Sequence, residues 1–399
     1  MRRDVWITGI GLVSSLGEGL DAHWHALAES DPKPVIDTIA TPPFPIHPLV
    51  KLELDKQIPR RADQRQMEAW QRIGTYAAGL ALSDAEVAGK PEILGHTHAV
   101  IAADGGERDI AADGAILESL REEENVGPQL NKRLASDLRP TLFLAQLPNL
   151  LAGNVSIVHN VTGSSRTFMG EELGAVSAVE VAWRRIGAGQ GDIFLVGGAG
   201  LAGRKDTSLG YSLGGTMWAS EFLPIWQRAV RGGGAVMGSV GAFLVLEAPE
   251  HATARGRKPY ARLASVRSDM NGRKEGEIRA TVLRQFKEIV PDGPPVDVLS
   301  AATGVGQPTR EEHEALARLI AERRVGTVRA IGSMMGRGVS ATFPAIAGLA
   351  ALAIQRGAFF RPFEADEIET PPPATSGRIL VTSVGMSSGE GMGLITAVN

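Results

Sequence analysis

Short apolar runs that close on glycine or other small residues alternate with helix-patterned stretches along the whole chain, and this alternation restricts it to an α/β fold. Residues 4–17, 97–106, 192–200, 242–250, 296–306, 327–336 and 377–385 each read as a buried strand running into such a turn. The 48 glycines suit tight strand-to-helix turns and close backbone packing. Gln64–Leu82 and Arg310–Arg323 carry helical spacing between the strands. The two halves also echo each other: HAVIAADGG (98–106) resembles VDVLSAATG (296–304), and DIFLVGGAG (192–200) resembles RILVTSVGM (378–386). Repetition at about half the chain length suggests a duplicated βαβ unit. The seam would follow Glu247, in the polar stretch 248–259, giving halves 1–247 and 248–399. The alternative is that any α/β chain yields look-alike strand ends. Proline-rich Thr41–Leu49 reads as a surface loop, and the polar segment Arg108–Asp137 as a helical excursion.

Charge and composition remove several function classes. A net charge of −4 leaves no basic face for nucleic-acid phosphates. No apolar run reaches the roughly 18 residues of a membrane span. The basic start runs straight into a strand instead of a cleavage site, so a cytoplasmic location is expected. The chain contains no cysteine, which removes disulfides, thiolate metal sites and any sulfur nucleophile. His96 and His98 could offer ligands from one strand face, but no carboxylate accompanies them, so no metal is expected. No glycine motif for nucleotides follows a strand, and no cofactor is expected. Gly210–Gly214 spells G-x-S-x-G, yet the polar AGRKDTSL precedes it where an apolar strand is required, so Ser212 reads as a chance match. Ser164 and Ser165 have only His159 near them in sequence and read as inert.

Taken together, several segments resemble β-ketoacyl-acyl-carrier-protein synthases of the type II and chain-length-factor group. They are VWITGIGLVSSLG at the start, RRADQRQMEAW (60–70), Asn149–Gly198, MGSVGAFLVLE (237–247), the DVLSAATG strand end, SMMGRG (333–338) and SVGMSSGEG (383–391). The resemblance implies a thiolase-like five-layered α/β/α/β/α fold from two duplicated βαβ halves, usually dimeric. It also implies that the excursion 108–137 lies between the two halves of such a dimer.

Active members of that group condense acyl groups with a Cys at a helix N-terminus, two His and a Lys. In the register of the resemblance Glu172 stands at the Cys, Ala302 at the first His or within one residue of it, Gly332 at the Lys, and Arg337 at the second His. A gating phenyl ring is replaced in Gly233-Gly234-Ala235. A carboxylate cannot form the acyl thioester, and no imidazole remains beside the enolate that decarboxylation would generate. No catalytic residue is therefore expected at these four positions. The Cys and the second His touch in the family, so Glu172 and Arg337 are expected to form a buried ion pair with a two-pronged guanidinium contact. The alternative turns Arg337 toward a dimer contact or an anionic ligand.

Leu142, Phe143, Leu144 and Gln146 align with the acyl-tunnel lining, or else form a core helix with one buried amide. Arg65 survives from the basic residues that meet the acyl carrier protein, whereas Ser136 and Asp137 replace others. The resemblance thus implies a non-catalytic, chain-length-factor-like subunit in fatty-acid, aryl-polyene or polyketide biosynthesis. Its partners would be an active ketosynthase and an acyl carrier protein. Two alternatives stay open: acyl-thioester hydrolysis or decarboxylation using Glu172, and an acyl-chain-binding homodimer.

Overall fold

The same strand order is found on both sides of a central junction. The structure, a computed structural model, describes residues 2–106, 108–138, 146–371 and 377–398. In the N-terminal half, strands β1 (Trp6–Ser14), β2 (His98–Ala102), β3 (Ser165–Phe168), β4 (Ile193–Gly200) and β5 (Val240–Glu247) lie in the order β3-β2-β4-β5-β1. In the C-terminal half, β6 (Ala261–Asp269), β7 (Val296–Ser300), β8 (Val325–Ala330), β9 (Arg378–Val384) and β10 (Glu390–Thr396) lie in the order β8-β7-β9-β10-β6. Both orders read third, second, fourth, fifth, first. The first three of each are parallel and the remaining neighbours antiparallel. β1 and β6 join the halves through the pairs Trp6–Arg262 and Ile7–Ala261. The two echoed sequence pairs fall on β2 and β7, second in each half, and on β4 and β9, fourth in each.

The helices α1 (Ala69–Asp84), α2 (Leu150–His159), α3 (Glu171–Gly187), α4 (Lys205–Leu213), α5 (Glu277–Ile289), α6 (Gly306–Ala321) and α7 (Thr342–Arg356) complete the layers. α1 and α2 cover the outer face of one half-sheet, and α5 and α6 cover that of the other. α3 and α7 pack on each other and touch strands of both halves, which makes the central layer of an α/β/α/β/α arrangement. A helix clamped between two sheets needs a thin cross-section. α7 supplies it with Ala345, Ala347, Gly348, Ala350, Ala351 and Ala353, and a Cβ on Gly348 would stand 2.7 Å from Ile10.

Three expectations need correction. Val339–Arg356 is long and apolar enough by length and composition to cross a membrane, but 83% of it is buried inside the protein, because both of its sides face a sheet. Gln64–Leu82 is not one helix: Arg61–Gln66 and α1 are separated at Met67 and Glu68. There the Glu68 N–H donates to Gln71 Oε1 at 3.0 Å, in a reciprocal cap that starts α1 afresh. Thr41–Leu49 is only half a surface loop, since Ile46 and His47 are buried and pair with Met237–Gly238.

Candidate active site

β3 ends at Phe168, and the chain turns through Met169 and Gly170 into α3. The first helical residue, Glu171, has φ 51°, a backbone conformation that costs a residue with a side chain about 1–3 kcal/mol. This sharp strand-to-helix turn presents two consecutive carboxylates at the end of a buried helix, where the free N–H groups favour negative charge. The turn is made by Glu171, one residue before the position that the resemblance selects. Glu172 follows it inward and has 2% of its side chain exposed, against 29% for Glu171.

The other half supplies the cation. After β8 the chain passes through the short helix Gly332–Met335 to Arg337, just ahead of α7. The Arg337 backbone is fixed on both sides: its N–H donates to Val236 O at 2.8 Å and its carbonyl accepts from Gly238 N–H at 3.0 Å. Its Nε–H donates to Glu172 Oε1 at 2.5 Å, and the Met386 N–H donates to Glu172 Oε2 at 3.4 Å. The guanidinium lies 4.6 Å over the Tyr211 ring, one terminal nitrogen stands 3.8 Å from Glu171 Oε1, and the Tyr211 hydroxyl donates to that same oxygen at 3.1 Å. The expected pair therefore forms, but it is not two-pronged. Stacking on Tyr211 turns the second nitrogen toward Glu171, so one cation is shared by two acids.

Burial alone would lower the Arg337 pKa, but Glu172 more than offsets it and the net shift is upward. Burial pushes the Tyr211 phenol up to about 12. Beside the pair, Asp104 accepts from Ser340 Oγ at 2.7 Å, and burial raises its carboxyl to about 6 against the opposing pull of Ser340 and Arg337. The space left between Trp70, Asp104, Arg204, Met237 and Arg337 is about 10 Å³, no more than one water fills.

The other two positions that the resemblance selects, Ala302 and Gly332, lie against each other. A Cβ on Gly332 would stand 2.5 Å from Ile225 Cδ1 and 3.2 Å from Ala302 O, so a side chain there would have to displace Ile225. The neighbours of Ala302 are Ala301 and Thr303, whose hydroxyl accepts from the Val305 N–H at 3.3 Å. No titratable group stands within one residue of Ala302. Of the tunnel residues, Leu142, Phe143 and Leu144 lie outside the described residues; Gln146 is half-buried with its backbone against Gly106. Arg65 is exposed in a groove with Lys51, Lys56 and Arg61, away from the buried pair. Among the described residues no group of three His, Asp or Glu side chains could hold a metal. Gly210–Gly214 lies at the end of α4 and forms no elbow, yet it contains Tyr211, the site residue that sequence reasoning passed over. Its signal was a lone aromatic in a polar helix.

Residues 2–252 match the family described as "Beta-ketoacyl synthase, N-terminal domain". This chain belongs to the β-ketoacyl synthase family. Among curated β-ketoacyl synthases, the 3-oxoacyl-[acyl-carrier-protein] synthase 2 of Vibrio cholerae serotype O1 is 26% identical over 270 residues, which are 65% of this chain and 61% of that protein's length. The putative polyketide beta-ketoacyl synthase 1 of Streptomyces halstedii is 27% identical over 364 residues, 86% of this chain and 83% of that one. The solved ishigamide ketosynthase/chain length factor matches with a TM-score of 0.78 at 19% identity, covering 100% of both chains. That likeness shows the shared thiolase-like fold.

Proposed function

We propose that this ketosynthase-like chain is a catalytically silent, chain-length-factor-like subunit that pairs with an active ketosynthase and works with an acyl carrier protein. One observation carries the proposal: the elbow holds two carboxylates in place of a nucleophilic sulfur, and Arg337 neutralises the buried one. The Met386 N–H donates to the second oxygen of Glu172, so it is not a free donor for a tetrahedral oxyanion. A general base needs a lone pair within reach of substrate or water, whereas both oxygens of Glu172 are engaged in a buried site. This disfavours hydrolysis or decarboxylation by Glu172.

Pairing is supported by apolar side chains that a lone chain would leave in water. Ile157 on α2, Met169 beside the elbow, Leu209 and Leu213 on α4, and Leu117 and Val126 of the excursion are all exposed. We read 1–247 and 248–399 as the duplicated units, with the carrier protein meeting the basic groove at Arg65. The product would be a fatty acid, aryl polyene or polyketide whose length this subunit helps to set.

Co-expression with a candidate ketosynthase and carrier protein tests the proposal. The expected result is a one-to-one complex by native mass, with product lengths that change when this chain is omitted. Recovery of a homodimer only, with products unchanged, would favour the acyl-binding alternative.

A further inference from the structure

β3 pairs with β2 along one edge, and its other edge faces no strand among the described residues. Such an edge is ready to accept a strand from another chain. The charge around it is one-sided. Side chains alternate along a strand, so Arg166 and Phe168 share a face, and Phe168 packs into the core beneath α3. Arg166 is exposed on that face.

Arg185 of α3 lies nearby. Its guanidinium covers the Phe194 ring at 4.8 Å and donates to Ser164 Oγ at 3.1 Å. Burial and then Arg166 lower its pKa, so the two cations feel each other. His98 bonds to the same Ser164 hydroxyl at 2.8 Å, and His96 stands close enough to act on it. The acid acting on His98, Asp192, is held by Arg3 at 2.7 Å. Among the described residues neither Arg166 nor Arg185 has a carboxylate partner within ion-pair distance. A chain of net charge −4 thus carries an uncompensated cationic strand edge.

This edge disfavours a second copy of itself. An antiparallel two-fold pairing that continues the sheet and keeps the helices on their own sides pairs the most residues of this four-residue strand when it centres on Arg166 or on Thr167. In the first register Arg166 faces its copy at about 5 Å, and in the second it is one diagonal away at about 7–8 Å on the same face. Either register also brings up the second Arg185, so four cations converge with no carboxylate from this chain.

We propose that β3 recognises a different chain, one whose edge strand sets a carboxylate opposite Arg166, and that Arg166 and Arg185 act against self-pairing. This rests on the pairing proposed above and adds the charge rule that selects the partner. The exposed apolar residues supply contact area, and the cations supply choice.

The test uses the full chain with Arg166→Glu and Arg166→Ala, each checked by thermal melting, with association followed by sedimentation at low salt. The wild type alone should stay monomeric. An equimolar mixture of wild type and Arg166→Glu should form a mixed dimer, at least about tenfold tighter than wild type with itself. Arg166→Glu should lose affinity for an active ketosynthase partner by a similar factor. The charge rule is overturned if wild type self-associates as tightly as Arg166→Ala, or if the mixture shows no preference. A mixed dimer that forms as stated, with no ketosynthase bound by the wild type, would sink the pairing proposal while leaving the charge rule intact.

Discussion

Arg337 donates its Nε–H to Glu172 at 2.5 Å across a sequence separation of 165 residues, and so fastens the first turn of α3 to the turn that precedes α7. These are the two helices of the central layer, one from each half. The bond therefore links the two helices of the central layer near the start of each.

Removing one partner leaves the other charge buried. Glu172→Ala and Arg337→Ala should each destabilise the fold by about 3–5 kcal/mol in denaturant melts. Replacing both with apolar residues of similar size, Glu172→Met with Arg337→Leu, should recover most of that loss. A double variant that loses the sum of the two single losses would show that the pair is not coupled.

Tyr211 acts on the pair through two separable contacts. Tyr211→Phe keeps the ring under the guanidinium and loses only the hydroxyl bond to Glu171, so it should cost about 1 kcal/mol. Tyr211→Ala loses the stacking as well and should cost about 1 kcal/mol more. Equal losses for both variants in the same denaturant series would remove the cation–ring contact from the account.

Glu312 on α6 is buried between Ser300 and Thr382, whose hydroxyls donate to its Oε1 at 2.8 and 2.6 Å. Burial raises its carboxyl to about 7. The folded protein then holds a proton that the unfolded chain releases at an ordinary carboxylate pKa, so this group's contribution to stability falls as pH rises toward 7. Glu312→Gln keeps an oxygen for both hydroxyls and does not ionise. Its melting temperature relative to wild type should rise between pH 5 and pH 8; a difference constant with pH would contradict the assignment.

Much of the fold is legible in the residues. β1, β2, β4, β5, β7, β8 and β9 are apolar runs that close on small residues, and burial on both faces is what makes such strands stand out. The other three are hidden for different reasons. β6 reads ARLASVRSD because part of it stays half-exposed and keeps polar side chains. β10 reads EGMGLIT because Val176 presses on it so closely that a Cβ at Gly391 would stand 2.4 Å away. β3 is a short, exposed edge strand. The site is harder to read than the fold. Nothing local to Glu172 or to Arg337 points to the other, and only the family register brings them together. The positive φ of Glu171 and the approach of Tyr211 depend on how a loop closes over the helix end, which side-chain periodicity does not encode.

The most direct test of catalytic silence supplies the purified chain, without a partner, with an acyl and a malonyl carrier-protein thioester and analyses the carrier-bound species by mass. The account predicts that no β-ketoacyl product forms and that no acyl group is transferred to the protein. A condensed product, or an acylated form of this cysteine-free chain, would contradict it.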